Sequence, residues 1–145
     1  IYHMILDTTY SNKSNNQLID DLVGKSYTLF ESFKMKGIGS KRMIIDDASP
    51  NFKHYLNATE DVTYANLELR PNGLLVRINK GLKNYTWVVP FYHLVIYKTN
   101  GSSIHAQGKF IHFKNNITFK ENKSFFDKLL SSKVTFEKQY DFIGI

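Results

Sequence analysis

Cysteine is absent from the 145 residues, which excludes disulfides, zinc–thiolate sites, thiol nucleophiles and iron–sulfur clusters. Glycine and proline are scarce, eight and three residues, so collagen-like and low-complexity chains are excluded as well. No apolar run approaches the roughly 18 residues that a transmembrane helix needs. Acid is missing from the whole stretch between Glu68 and Glu121. What is present is a globular composition, 42% hydrophobic and 14% aromatic, too apolar for a disordered chain. A chain of this length buries about two-thirds of its unfolded surface, so it folds without a metal or disulfide staple. A single domain over residues 4–145 is expected.

Ile1-Tyr2-His3 reads as a remnant of cloning, because His-Met is left by a common cloning site, and Met4 is then the initiator. The segment after Met4 lacks a basic n-region followed by an apolar stretch, so a cytoplasmic location is expected. Six Asn-x-Ser/Thr triplets occur. In a chain rich in asparagine, serine and threonine they arise by chance.

The first element is a helix over residues 15–35. Leu18, Ile19, Leu22, Val23, Leu29, Phe30 and Phe33 recur at three- and four-residue steps and share one face. Ser14-x-x-Gln17 has the form of a capping box, and Gly37 offers a left-handed stop. Gly24 either kinks this helix or divides it. A sheet follows over 42–114. Lys41–Asp46 is its first strand, and Asn51–Leu56 is ambiguous between loop and helical turn. Turn residues then punctuate an antiparallel meander: Pro71-Asn72-Gly73, Lys80-Gly81 and Asn100-Gly101. Between them run strands 63–70, 74–79, 82–89 and 92–98, with Pro90 marking a bend or an edge. Residues 103–114 are two strands or one strand bulged at Gly108. A second helix over 119–131 carries Phe125, Phe126, Leu129 and Leu130 on one face, with Thr118-x-x-Glu121 as its box. The tail, 133–145, carries scattered apolar residues that suit an edge strand. The expected fold class is α+β, a meander of about seven strands between two helices.

This order resembles the pleckstrin-homology-like fold, in particular its small bacterial versions, over residues 42–131. The resemblance is carried by Leu69-Arg70-Pro71-Asn72-Gly73-Leu74-Leu75-Val76 and by Trp87-Val88-Val89-Pro90-Phe91-Tyr92-His93-Leu94. It implies a partly open barrel or strongly curved sheet plugged by the closing helix, and a binding or scaffolding module rather than a catalyst. Two departures stand out. The only tryptophan is Trp87, where eukaryotic members carry one in the closing helix, and the minimal fold has no counterpart of the leading helix.

Charge is segregated along the chain. Residues 1–60 hold equal numbers of bases and acids, so the net charge of +6 lies in residues 61–145. Arg77-x-x-Lys80-x-x-Lys83 spans one hairpin, and with Arg70 it forms a candidate anion site for a phospholipid headgroup or nucleic-acid phosphate. In the resembling family, basic residues on early hairpins bind phosphoinositide headgroups. The alternative use of these lysines is solubility and edge protection. The interleaved aromatics Tyr85, Trp87, Phe91, Tyr92, Tyr97, Phe110 and Phe113 suit base stacking, though strand alternation sends most of them into the core. His93, His105 and His112 could meet across the sheet, but no His-x-Glu or His-x-x-x-His spacing supports a metal. The acidic pairs Asp20-Asp21, Asp46-Asp47 and Glu60-Asp61 read as solvated carboxylates, and Gly37-Ile38-Gly39-Ser40-Lys41 as a turn lacking phosphate-loop spacing. No catalytic residue, cofactor or metal is expected. The leading helix, with Tyr27, Phe30 and Phe33, packs on the sheet or docks a partner. The reading is a non-enzymatic module that binds a protein partner or itself, with anionic-ligand binding as the alternative.

Overall fold

The computed structural model describes residues 4–57 and 61–144, the last five of these by their backbone alone. Ile1-Tyr2-His3 and Glu60 of the Glu60-Asp61 pair lie outside the described residues. Among the described residues there are eight strands: β1 (Ile5–Asp7), β2 (Met43–Ala48), β3 (Thr63–Arg70), β4 (Gly73–Lys80), β5 (Lys83–Pro90), β6 (Val95–Tyr97), β7 (Ser102–Ala106) and β8 (Lys109–Phe113). They form one antiparallel sheet in the order β1-β5-β4-β3-β2-β8-β7-β6, which is not closed. Two meanders, β2 to β5 and β6 to β8, are joined where β8 lies beside β2, Ile45 opposite Phe113. The eighth strand is β1, whose three residues pair with Thr86 and its neighbours on β5. Only three residues of the expected strand 92–98 are strand, because Phe91–His93 forms a 3-10 turn. Residues 103–114 are two strands, turned by Gln107 and Gly108 at φ 49° and 79°.

The leading helix is two helices, α1 (Lys13–Val23) and α2 (Leu29–Lys34). Gly24, at φ 89°, breaks the path at a value most side chains avoid. The expected box at Ser14 is absent, since Asn12 caps α1 by accepting from the Asn15 N–H at 3.0 Å. A true capping box opens α2, with Thr28 and Glu31 satisfying each other's backbone N–H groups. At the other end α3 (Ile117–Lys120) is capped by Asn116 rather than boxed at Thr118, and α4 runs from Lys123 to Gly144. The 133–145 tail is therefore helical as far as Gly144 and adds no strand.

Strand alternation explains the two apolar layers. Ala65, Leu67 and Leu69 of β3, Leu74, Val76 and Ile78 of β4 and Trp87 and Val89 of β5 face the main core. Phe125, Phe126, Leu129 and Phe136 of α4 share that core. Leu75 and Val88 point the other way and meet Ile19 and Val23 of α1. The approach of α1 explains Gly73, whose neighbours leave no room for a side chain. A Cβ there would lie 2.5 Å from Val23 Cγ1 and 2.6 Å from the Val89 carbonyl. It needs no positive φ, so its role is space rather than the turn conformation that Asn-Gly suggests.

Candidate functional site

On the α1 side of the sheet, alternation sends Glu68 and Arg70 of β3 and Arg77 of β4 outward together. Arg70 is buried. Its Nε donates to Glu68 Oε2 at 2.9 Å, and its Nη1 donates to Asp20 Oδ1 at 3.1 Å and to the Gly24 carbonyl at 2.8 Å. Arg77 Nη2 donates to the other Glu68 oxygen at 2.9 Å. Burial pushes the Glu68 carboxyl up, but hydrogen bonds and charge from Arg70 and Arg77 outweigh it and hold the group below its ordinary range. A polar cleft of about 380 Å³ opens beside this network, lined by Thr8, Asn12, Asn15, Asp20, Arg70 and Arg77 among others. Both guanidiniums facing it already hold carboxylates, so the cleft presents a balanced polar surface rather than a field of one sign.

Lys80 and Lys83 stand opposite each other across the β4–β5 hairpin. The expected convergence of Arg77, Lys80 and Lys83 does not occur. An odd spacing of three places Arg77 and Lys80 on opposite faces of β4. Lys80 instead donates to the His54 carbonyl at 2.6 Å. The structure therefore pairs Arg70 with Arg77 around Glu68 and leaves the two lysines together elsewhere.

His93 lies against Tyr92, and His105 sits between the Tyr97 ring, T-shaped at 4.6 Å, and the Phe110 ring, stacked at 5.1 Å. His112 bridges Asp46 Oδ1 at 2.6 Å and the Thr99 carbonyl at 3.1 Å. The last two line a shallow groove with Asp46, Asp47, Tyr97 and Ser103. Among the described residues no three histidine or acidic side chains are placed to hold a metal ion. Asp46 was legible only as half of an acidic pair; its histidine lies 66 positions away.

Burial lowers the His112 imidazole, but Asp46 and the carbonyls of Thr99 and Asn100 raise it, and the net direction is upward from 6.5. The raised value means that this pair stabilises the fold fully below about pH 6.5 and ceases to do so as pH rises through the folded pKa. Followed by NMR, the His112 titration is expected to have its midpoint above 6.5 in the wild type. The midpoint should fall in Asp46→Asn, and an equal midpoint in both proteins would contradict the pairing.

The remaining feature is α2. Leu29, Phe30 and Phe33 are 91%, 68% and 83% exposed, although their spacing predicts a core-facing stripe. The break at Gly24 turns them away from the sheet. Tyr27, Met35 and Ile38 on either side pack against the main core and hold the helix in place. The signal that could have found this is Thr28-x-x-Glu31, which starts a new helix inside the apolar run.

No protein-family model, curated protein or solved structure matches the chain. Among the described residues no helix is long and apolar enough to cross a membrane.

Proposed function

We propose that this protein is a non-enzymatic binding module of the pleckstrin-homology-like kind, and that α2 is its docking face. The observation that carries the reading is the outward stripe of Leu29, Phe30 and Phe33 on a capped helix whose flanking residues Tyr27, Met35 and Ile38 pack on the core. Single exposed apolar residues need no explanation, but three large ones within five residues of one short helix form a patch of the kind found at interaction sites. The pleckstrin-homology-like assignment draws support from the succession of antiparallel ribbons and the closing helix packed on their apolar side. A non-enzymatic role is supported by the engagement of Asp20 with Arg70 and of Asp46 with His112, which commits these carboxylates to structural pairs. An anionic-ligand reading is favoured by one observation, the register that sets Lys80 against Lys83. It is weakened by Glu68, which already holds Arg70 and Arg77.

A docking face contributes little to the fold of the free protein. The triple variant Leu29→Ser/Phe30→Ser/Phe33→Ser is expected to match wild-type stability in urea within about 0.5 kcal/mol. A loss of about 3 kcal/mol or more, the scale of emptied core sites, would show the stripe to be packed in solution and overturn the reading.

A further inference from the structure

We infer that α2 is a peripheral membrane contact, and that its partner is the surface of an anionic bilayer. The inference rests on α2 being the docking face and names what it docks to. Three observations point to lipid. First, Leu29, Phe30 and Phe33 are so exposed that they stand off the surface as knobs. A rigid partner would need a matching pocket for each, whereas the headgroup and acyl boundary deforms around aromatic and leucine side chains.

Second, the chain segment that carries the knobs is strongly basic. Between Asp21 and Asp46 the chain carries Lys25, Lys34, Lys36, Lys41 and Arg42 against the single acid Glu31. All five cations are exposed, while the Glu31 carboxylate is turned back onto the Thr28 N–H at 2.8 Å. Lys128 of α4 adds a further cation at the end of α2, donating to the Lys36 and Gly37 carbonyls at 3.0 and 2.8 Å. Third, the two features are interleaved. Lys34 lies 5.1 Å over the Phe30 ring, so its ammonium can reach a phosphate while its stem stays on apolar surface. A second copy of the chain would bring the same lysines face to face, and their repulsion disfavours self-association through α2.

The test is co-sedimentation of the full chain with phosphatidylcholine vesicles and with vesicles that also contain phosphatidylglycerol. Binding is expected only to the mixed vesicles and should weaken as salt rises. Phe30→Ser/Phe33→Ser should reduce partition at least about tenfold, and Lys34→Glu/Lys36→Glu by about fivefold or more for each lysine lost. Phe30→Trp should show a blue-shifted emission on adding mixed vesicles, since the native Trp87 is buried and does not move.

Absence of wild-type binding to mixed vesicles overturns the inference. So does binding that survives in Phe30→Ser/Phe33→Ser but is lost in Arg77→Glu/Lys83→Glu, which would place the lipid on the hairpin. Self-association abolished by the serine variant, without vesicle binding, overturns it in favour of a second copy. In each of these cases a folded triple-serine variant leaves α2 as a free face, whereas an unfolded one removes the docking reading itself.

Discussion

Replacing Arg70 by methionine is expected to cost about 3 kcal/mol of folding stability, the low end of what breaking a buried ion pair costs. The side chain is 8% exposed and sits between two carboxylates, at 3.1 Å from Asp20 and 2.9 Å from Glu68. Methionine keeps an apolar stem in place, so the loss reports the guanidinium's charge and hydrogen bonds together. Glu68 keeps Arg77, and Asp20 is exposed enough to recover water; these two facts set the low end. The Gly24 carbonyl also loses its 2.8 Å donor, at the point where α1 ends. Equilibrium urea unfolding measures the effect, and a change under about 1 kcal/mol would show that the network is solvated.

The same network fixes a pH dependence. Because Glu68 is held below its ordinary 4.5, its contribution is present above that pH and is lost as acid carries the solution through the lowered value. In Arg70→Met the carboxyl loses half of its support, so wild type and variant should converge in stability as pH falls below about 4.5. Adding Glu68→Leu to Arg70→Met should change stability by no more than about 1 kcal/mol further, because the Glu68–Arg77 pair that it removes is partly exposed. Arg77, then unpaired, is 40% exposed and can be hydrated.

Much of the sheet was legible because it is local. Pro71-Asn72 and Lys80-Gly81 mark hairpins whose strands alternate apolar and polar residues, and the registers Arg70 opposite Gly73 and Lys80 opposite Lys83 follow from those turns. What is not local left no mark. Residues Ile5–Asp7 become strand only because β5 offers them an edge, and the joining of β2 to β8 depends on residues 68 apart, Ile45 and Phe113. Two misreadings had readable signals. The spacing of seven from Leu129 to Phe136 continues a helical stripe, and Phe136 indeed lies 5.6 Å from Phe91. Thr28 and Glu31 announced a second helix start that the continuous apolar period overrode.

The candidate site was less legible than the fold. An acid-free run after Glu68 suggests uncontested cations, yet Glu68 itself heads that run and takes both arginines. Its position between them depends on β3 pairing with β4, and the Asp20 contact depends on α1 crossing the outer face, 50 positions away from Arg70. Sequence spacing placed Arg77, Lys80 and Lys83 near one another; strand parity, which flips the face at each residue, separated Arg77 from the two lysines.

Trp87→Ala is expected to cost about 3–5 kcal/mol, the range for emptying a large aromatic site in a core. Trp87 is 2% exposed on β5, opposite Val76 on one side and Ile5 on the other. Its ring meets the Phe52 ring edge-on at 4.9 Å, and Phe52 is wholly buried on the 3-10 segment Pro50–Tyr55. That segment joins β2 to β3 and has no strand pairing of its own, so its seat on Trp87 is its main buried hold, beside the exposed Lys80 bond to the His54 carbonyl and the Tyr55 ring against Tyr85 at 4.9 Å. Trp87→Phe, which keeps an aromatic face for Phe52, should lose markedly less than the alanine variant. Hydrogen exchange should show residues 50–55 opening first in Trp87→Ala. If both substitutions cost the same and the segment stays protected, Phe52 is held by its other neighbours and the tryptophan on β5 is not the anchor of this end of the core.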